Sequence, residues 1–269
     1  MRVKISQLQL PLDYEEKDIL KAAAAKLNCS ESLLSGLNII RRSIDARKRR
    51  EAPFFSIHLE IEIKDSDDFL LPDDKDIQII PGGKIFHEIM IPKISGKAKS
   101  RPVVIGSGPS GLMAALTLAE AGLSPLLIER GSPVKERTSQ VSLFWKKGEL
   151  NPEGNVLFGE GGAGLFSDGK LTTRSKDRFR VRRFLETLVK CGAPEDILID
   201  SEPHLGTDIL KKIVPAFRNL IEGAGGEVRF HSRLEGIRVE NGRLCGIIVN
   251  GQEIETQYCI LATGHSARN

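Results

Sequence analysis

Cysteine, aromatic residues and long apolar runs are all scarce in this sequence. Its 269 residues include 4 cysteines and 1 tryptophan, and aromatic residues make up only 5% of the chain. The cysteines are widely spaced without a C-x-x-C pair, which argues against a zinc ribbon and a local redox-active disulfide. The 5 histidines are equally scattered. We therefore expect no metal site and assign the cysteines to small, buried or half-buried packing positions.

Two further absences concern targeting and partners. No apolar run approaches the roughly 18 residues that span a bilayer, and the N-terminus lacks the hydrophobic segment of a signal peptide. The formal net charge of +3 is too small to indicate a nucleic-acid or membrane partner by itself. The sequence therefore predicts a cytoplasmic protein without a membrane partner.

The first part of the chain predicts a small α+β domain. Alternating apolar positions indicate one strand from Val3 to Leu10 and another from Phe54 to Ile63. Between them we expect an alanine-rich helix from Tyr14 to Leu27, capped by Asp13, and then a strand from Leu37 to Ile44. The ferredoxin-like fold is one candidate for this arrangement.

A basic run from Arg41 to Arg50 is the one feature of this domain that suggests a polyanion. An acidic stretch from Asp65 to Asp76 compensates its charge, and no aromatic residues interleave with the arginines as a stacking platform. We therefore interpret the run as a solvated hairpin end. Binding of RNA or another polyanion is the alternative.

The composition changes between residues 92 and 100, a stretch rich in Gly, Pro, Lys and Ser. Such a composition is typical of a flexible connection between domains. We therefore place a linker at residues 92–100, between an N-terminal domain of residues 1–91 and a second domain of residues 101–269.

The second domain begins with a glycine fingerprint that follows an apolar strand at Pro102–Ile105. Gly106, Gly108 and Gly111 form the pattern G-x-G-x-x-G. The first glycine permits a tight turn, the second allows close approach to a pyrophosphate, and the third lets the following helix lie near the sheet. That helix, from Pro109 to Ala121, points its positive N-terminus at the anion.

A second strand, Pro125–Ile128, delivers Glu129 at its carboxyl end. A carboxylate in this position can accept hydrogen bonds from both ribose hydroxyls of an adenosine. A purely structural glycine turn is the alternative, but the strands, the three glycines, the helix, its end at Gly122 and Glu129 all lie in register. The sequence therefore predicts a dinucleotide-binding site.

Two later stretches suit the same ligand. Between Asn155 and Arg174 four glycines fall within six residues, a density needed only where the backbone turns sharply or approaches a ligand. The stretch Gln257–Gly264 ends an apolar strand in a small-residue turn, and ligands of open α/β sheets lie at such carboxyl ends. Between them we expect helices at 177–191 and 207–224, and then a β-meander with hairpin turns at Asn241-Gly242 and Asn250-Gly251.

These motifs together resemble the two-dinucleotide-binding-domain flavoproteins of the glutathione-reductase type. The stretches NVLFGEGGAGLFSDGKLTTR, SEPHLGTDIL and RRSIDARK are similar to the predicted FAD-dependent (NAD/FAD-utilising) dehydrogenases of bacteria. The resemblance covers the whole chain. It implies a Rossmann-like FAD-binding domain with a small antiparallel β-meander, preceded by the α+β domain.

The same resemblance implies an oxidoreductase that uses a non-covalent flavin for hydride or electron transfer. NAD(P)H is then a candidate electron donor, NAD is the alternative ligand of the fingerprint, and the small-molecule substrate is unknown. Two other interpretations stay open: an RNA-associated flavoprotein that uses the basic run, and a non-catalytic fragment.

The resemblance also implies roles for individual residues. Glu129 would hold the adenosine ribose beside Arg130, Arg137 would neighbour the pyrophosphate, and Leu234 would lie against the adenine. Leu165 stands where the family pattern suggests a smaller polar residue. The other expected contacts are Gly106, Gly108, Pro109, Ser110 and Gly111 at the pyrophosphate, Gly161, Gly162, Ala163 and Gly164 along the flavin, and Ala262, Thr263 and Gly264 closing over the cofactor.

The sequence assigns no catalytic residue. Ser167, Asp168 and Lys170 could bond to the flavin or the substrate, or could equally well form the turns of a glycine loop. We interpret His265 as a helix-start or surface residue. Flavoproteins of this type continue well beyond the turn that corresponds to Ala262-Thr263-Gly264, whereas this chain ends at Asn269. The resemblance therefore implies the N-terminal portion of a longer protein, whose C-terminal half would be an intramolecular or split-chain partner.

Overall fold

The computed structural model describes residues 1–47, 52–64, 69–80, 91–94 and 100–264, and the chain divides into two compact units. The first unit spans Met1–Glu88 together with Glu195–Pro203, and the second spans Ile89–Pro194 together with His204–Asn269. Several features singled out in the sequence lie outside the described residues: Lys48, Arg49 and Arg50 of the basic run, Asp65, Asp67 and Asp68 of the acidic stretch, linker residues 95–99, and His265.

In the first unit a helix packs on a four-stranded antiparallel sheet. Its elements are β1 (Arg2–Leu10), α1 (Glu16–Leu27), a 3-10 turn (Glu31–Leu33), β2 (Leu34–Asp45), β3 (Phe54–Ile63) and β4 (Ile77–Ile79). The strand order is β2-β3-β1-β4, and each neighbouring pair is antiparallel. This order and the βαββ connection agree with the ferredoxin-like candidate.

Helix α1 begins two residues later than the sequence predicted. The backbone N–H of Glu15 donates to Asp18 Oδ2 at 2.9 Å. A side chain at the third helical position that bonds back to the capping residue fixes the first turn. The prediction of Asp13 as the cap was therefore wrong, because Glu15 occupies that position.

The segment Glu195–Pro203 belongs to the first unit although it is distant in sequence. Arg42 on β2 holds it: Nε donates to Asp200 Oδ1 at 2.8 Å and Nη2 donates to Asp196 Oδ1 at 2.9 Å. The backbone N–H of Ser201 also donates to Arg42 O at 2.9 Å. The hydrogen bond to Asp200 raises the pKa of Arg42 above its ordinary value, so this pairing favours the charged guanidinium.

In the second unit the described residues form seven strands and four α-helices. The strands are β5 (Val103–Ile105), β6 (Leu126–Ile128), β7 (Glu227–Arg229), β8 (Leu234–Glu240), β9 (Arg243–Val249), β10 (Gln252–Glu255) and β11 (Cys259–Leu261). The helices are α2 (Pro109–Glu120), α3 (Val134–Lys147), α4 (Arg178–Lys190) and α5 (Thr207–Gly223). None of the helices in the described ranges combines the length and the apolar character that crossing a bilayer requires.

The topology of the second unit defines where a ligand can bind. Its parallel sheet has the order β11-β5-β6-β7, and β8, β9 and β10 form a separate antiparallel meander. The chain leaves β5 toward β6 and β7 on one side and returns to β11 on the other, so the strand order reverses between β5 and β11. Ligands of open α/β sheets bind at the carboxyl ends beside such a reversal. The predicted α/β class, with a Rossmann-like domain and a small meander, is confirmed.

The meander packs on the parallel sheet through a buried apolar cluster of Val103, Ile105, Leu126, Ile128, Ile247 and Val249. Its two hairpin turns, Asn241-Gly242 and Asn250-Gly251, have positive φ at both residues. Type I′ turns require that conformation, which Asn-Gly adopts readily. The turns therefore lie where the sequence predicted them.

Helix α3 was missed in the sequence. Its buried residues are Val134, Arg137 and Val141. The usual signal for a helix is an apolar stripe with helical spacing. Here a charged residue occupies the centre of the buried face, so the stripe is interrupted and the helix carries no clear apolar pattern.

Replacing Arg42 should loosen the attachment of residues 195–203. Arg42→Met removes both carboxylate contacts, and the loss of such a partly exposed network costs about 1–2 kcal/mol. We expect faster hydrogen exchange at the Ser201 amide and faster protease cleavage within the segment. Arg174→Met, a change at an exposed arginine, is the control. Exchange at Ser201 that matches the control would contradict this account of the attachment.

Candidate dinucleotide-binding site

The three fingerprint glycines are required for different physical reasons. Gly106 has φ +100°, and a Cβ there would lie 2.6 Å from Ala262 O. A Cβ on Gly111 would overlap the carbonyl oxygen of Gly106. Gly108 has an ordinary φ of −71°, and a Cβ there would meet only Gly162 Cα, at 4.0 Å. Neither conformation nor close packing within the chain requires glycine at 108, because a Cβ there would make only an ordinary van der Waals contact.

Gly108 lies at the N-terminus of α2. Gly108 caps the helix, and Pro109 is its first residue. The N–H groups of Ser110 and Gly111 belong to the first turn and have no acceptor within the helix. Together with the helix dipole they favour an anion at this position.

Glu129 is buried, and its carboxylate is fully engaged. Oε2 accepts from the N–H and the hydroxyl of Ser107, both at 2.8 Å, and Oε1 accepts from Gly131 N–H at 2.9 Å and Gly159 N–H at 3.1 Å. A carboxylate offers about four acceptor positions. A ribose hydroxyl could therefore bond to Glu129 only by replacing one of these donors, and the ribose role stays a prediction.

Arg130 is engaged in a separate ion pair. Its Nε and Nη2 donate to the two carboxylate oxygens of Glu153 at 2.7 and 3.0 Å. The guanidinium also lies 4.4 Å from the centre of the Phe158 ring. The hydrogen bonds from Arg130 lower the pKa of Glu153 below its ordinary value. The pair fixes the segment that leads into the glycine loop.

Arg137 is completely buried on α3 and holds the glycine loop by its carbonyl groups. Nε donates to Asn155 O at 2.9 Å, and Nη1 lies within hydrogen-bond distance of Glu160 O (2.7 Å), Gly162 O (2.8 Å) and Gly159 O (3.2 Å). Burial lowers the pKa of the guanidinium to about 10. It therefore carries its charge at neutral pH.

One end of the Arg137 side chain lacks a partner. Nη2 is buried and makes no hydrogen bond to the described residues. The guanidinium also lies 4.9 Å from the centre of the Phe166 ring. Buried polar groups in proteins are nearly always hydrogen-bonded. The orphaned amino group is a donor suited to an anionic ligand, and the expected place of Arg137 beside the pyrophosphate stays a prediction.

The glycine loop lies against the fingerprint turn. Gly161 N–H donates to Ser107 O at 3.0 Å. Gly162 has φ +64°, and a Cβ there would lie 3.1 Å from Gly108 Cα. A 3-10 turn follows at Ala163–Phe166, and a Cβ on Gly164 would meet nothing within 4 Å. The structure thus brings the predicted loop residues beside Gly108, while their flavin contacts stay a prediction.

Leu165, which departs from the family pattern, is a core residue. It is only 1% exposed. A smaller polar side chain would leave this space unfilled. The departure is therefore explained by packing within the unit.

Glu160 was missed in the sequence, although it connects the glycine loop to α3. It is 1% exposed, and its Oε2 accepts from Val134 N–H at 2.8 Å. Oε1 lies 3.4 Å from Arg218 Nε. Burial raises the pKa of Glu160 above its ordinary value. The available signal was a single carboxylate within a run of glycines and apolar residues.

The turn at residues 262–264 also contacts the fingerprint. Ala262 N–H donates to Ile105 O at 2.8 Å, and Ala262 O faces Gly106. Thr263 and Gly264 follow as exposed residues. These three residues therefore follow the carboxyl end of β11, beside the strand-order reversal, and their closing over the cofactor stays a prediction.

Leu234 begins β8 and lies opposite Val249. Its side chain packs against the buried cluster between the meander and the parallel sheet. This packing explains why the side chain at position 234 is apolar. The expected contact between its backbone and the adenine stays a prediction.

The side chains of Ser167 and Asp168 form turns. Ser167 Oγ donates to Gly164 O at 2.8 Å, and Asp168 Oδ1 accepts from Lys170 N–H at 3.3 Å. Lys170 Nζ also lies 3.2 Å from Asp168 Oδ2, with both side chains more than 60% exposed. The hydrogen bond from Lys170 N–H lowers the pKa of Asp168. These contacts favour the turn-forming interpretation over a catalytic one.

A strand-order reversal, an open helix N-terminus and an adjoining glycine loop define a dinucleotide-binding α/β protein. Residues 100–269 match the family model described as pyridine nucleotide-disulphide oxidoreductase, and the chain belongs to this family. Residues 2–62 match a model described as a domain of unknown function, DUF8436.

Three similar proteins illustrate the range of this likeness. An uncharacterized protein of Clostridium beijerinckii is 45% identical over 276 residues, which cover 100% of this chain and 50% of that protein. Thioredoxin reductase of Lactococcus lactis is 19% identical over 64% of this chain and 37% of its own, with a TM-score of 0.35. THI4 of Thermovibrio ammonificans is 19% identical over 62% of this chain and 58% of its own, with a TM-score of 0.40. The chain spans about half the length of the curated relatives it matches.

FAD is the cofactor that membership of this family implies. The residues fit it at the pyrophosphate end. The missing side chain of Gly108, the open N-terminus of α2 and the orphaned Nη2 of Arg137 all suit a phosphate group. At Glu129 a ribose would have to displace a protein donor.

Replacing Arg137 should release the glycine loop. Arg137→Met leaves the carbonyls of Asn155, Glu160 and Gly162 without their buried donor, which should cost about 3–5 kcal/mol of unfolding free energy. Arg137→Lys keeps the charge but cannot reproduce the forked hydrogen bonds, so we expect an intermediate loss. Urea unfolding of the two variants measures both values. Wild-type stability in Arg137→Met would contradict the assigned role.

Proposed function

We propose that this chain carries the FAD-binding part of a dehydrogenase that moves a hydride or an electron pair between a small-molecule substrate and the flavin. The coarser statement, an FAD-dependent oxidoreductase, follows from membership of the family. NAD(P)H is the candidate electron donor. The observation that carries the proposal is the open N-terminus of α2, where Gly108 has an ordinary φ and a Cβ would make no close contact.

Bound FAD supplies the electron-accepting group, and the chain supplies binding and orientation. The first turn of α2 binds the pyrophosphate by its free N–H groups. Arg137 fixes the glycine loop from behind and offers Nη2 to the same anion. Glu129 ties the loop to the fingerprint turn through Ser107 and Gly159. These contacts hold the site in one geometry before the ligand arrives.

Thiol chemistry is not part of this proposal, although the family name includes disulphides. All four cysteines are free. Burial raises the pKa of Cys191 to about 11 and raises those of Cys29 and Cys259 above their ordinary values. The thiolate is the reactive form, so these thiols are poor nucleophiles at neutral pH.

The RNA-associated alternative has no support from either family match. Two arginines of the basic run are also neutralised within the chain. Arg42 pairs with Asp196 and Asp200, and Arg47 pairs with Asp45. An RNA backbone is bound by cations that release their counterions, which paired arginines do poorly.

Substitution at Gly108 separates FAD binding from folding. Because a Cβ at 108 would make no close contact and φ is ordinary, Gly108→Leu should fold and lose only about 1 kcal/mol as a poorer helix cap. Its side chain should occupy the pyrophosphate position and weaken FAD binding by at least about 100-fold, as a steric block of a main anchoring group does. Visible absorption of the purified chain with added FAD measures binding, and thermal unfolding measures stability.

Two further variants control this experiment. Gly223→Leu adds the same side chain at an exposed position where a Cβ meets nothing within 4 Å, and it should keep FAD. Gly111→Ala places a methyl group on Gly106 O and should lose stability as well as FAD. A Gly108→Leu protein that retains wild-type flavin bands would refute the assigned site.

A further inference from the structure

The first unit carries a groove on the sheet face that α1 leaves uncovered. Its volume is about 560 Å3, and its lining is largely polar. This volume lies within the range of small-molecule sites. Residues of three strands form it, among them Gln7 and Gln9 of β1, Arg41 and Ser43 of β2, and Ser56 and His58 of β3.

Both strands that flank β3 are irregular at His58. On β1 the register shifts between Ile5 and Leu8, whose partners on β3 are Leu59 and Ile57. Two residues of β1 therefore oppose His58 alone. One of them, Gln7, has φ +55°, which a residue other than glycine rarely adopts.

A second irregularity lies on the other side of the same residue. On β2 the register shifts between Ile39 and Arg41, and Arg41 is the partner of His58. Bulges bend a sheet and re-aim side chains, and they are frequent beside functional sites. Two bulges that flank one central residue give the sheet a concave surface centred on His58.

The lining includes one carboxylate, that of Asp45, which Arg47 pairs, so the remaining charges around the groove favour an anion. His58 is half-buried, and burial together with Lys4 and Arg41 lowers its pKa, against an opposing effect of Asp76. Lys4 makes no ion pair with the described residues. Asp76 is engaged by Lys26 at 3.4 Å. Cations without a carboxylate partner beside a neutral imidazole attract a negatively charged group.

Arg41 is held in place for such a contact. Its Nε donates to Ser201 Oγ at 2.6 Å, and Ser201 Oγ donates to Arg42 O at 2.9 Å. The terminal amino groups of Arg41 make no hydrogen bond within the described part of the chain. The other arginine of the groove, Arg47, is paired with Asp45. Arg41 is therefore the cation whose donors are oriented and available.

We propose that this groove is a binding site for a small anionic molecule that carries phosphate or carboxylate groups. Arg41 and His58 contact the anion directly, Ser201 positions Arg41, and the amides of Gln7 and Gln9 donate further hydrogen bonds. A small molecule fits better than a nucleic acid, because Arg42 and Arg47 are already paired within the chain. The site is separate from the dinucleotide site and does not rest on the proposed function.

Proton NMR of the histidine rings tests the proposal in the whole chain with FAD in excess. The His58 ring signal is identified by its loss in His58→Gln. Inorganic pyrophosphate and citrate are the two probes. We expect a saturable shift of the His58 signal and an increase of its pKa, because a bound anion favours the imidazolium. By linkage, the affinity must then increase as the pH falls through that pKa.

Variants distinguish a built site from adventitious binding. Arg41→Gln should weaken binding by roughly tenfold or more, the effect of one charge-assisted hydrogen bond. Lys4→Gln should weaken anion binding less than Arg41→Gln does. If the Arg41→Gln protein does not fold, Lys4→Gln takes its place in the comparison. Arg243→Gln, at an exposed arginine of the meander, should leave the affinity unchanged.

Each outcome decides the question. Binding of pyrophosphate alone assigns a phosphate-bearing ligand, and binding of citrate alone assigns a carboxylate-bearing one. No saturable shift with either probe overturns the proposal, as does equal binding by Arg41→Gln. A shift produced only by a single-stranded oligonucleotide would identify a nucleic-acid surface and also overturn it. Because the readout is local to His58, a chain that fails to bind FAD leaves the test intact.

Discussion

The site depends on two buried charges of opposite sign that hold one glycine between them. The N–H of Gly159 donates to the carboxylate of Glu129, and its carbonyl lies 3.2 Å from Nη1 of Arg137. Burial of an isolated charge is costly, so each group needs its full set of backbone partners. The glycine loop supplies those partners and is fixed by them. A side chain at Gly159 would bring its Cβ to 2.5 Å from Arg137 Cδ, which explains the residue at that position.

Features with a local cause were predictable from the sequence. The fingerprint needs only a strand, three glycines and a helix within a short span, and the Asn-Gly hairpins need only their own φ angles. The family resemblance placed the glycine loop along the flavin, whereas its packing against the fingerprint turn was seen only in the structure. The sequence analysis missed helix α3 and Glu160 because both bury a charged group, whereas hydrophobic periodicity detects only buried apolar residues. The attachment of Asp196 and Asp200 to Arg42 escaped because these residues lie 154 and 158 positions from it.

The fingerprint also shows that one residue type can answer three different requirements. Gly106 and Gly111 serve contacts within the chain, and any substitution there disturbs the fold first. Gly108 has no such contact, and its predicted role is to leave room for the pyrophosphate. The difference is visible only in the structure, where the direction of a missing Cβ is either blocked or not.

The route of the chain through its two units sets an order of events during synthesis. All strands of the N-terminal sheet have been synthesised once β4 is made. The carboxylates that pair with Arg42, those of Asp196 and Asp200, are synthesised 154 and 158 residues after it. At the usual ~5–20 residues per second this delay is roughly 10 to 30 seconds. During that time a half-buried guanidinium on β2 has no carboxylate from the segment, and the groove arginine Arg41 lacks Ser201. The region around Arg42 thus reaches its final structure only after residues 196–201 have been synthesised.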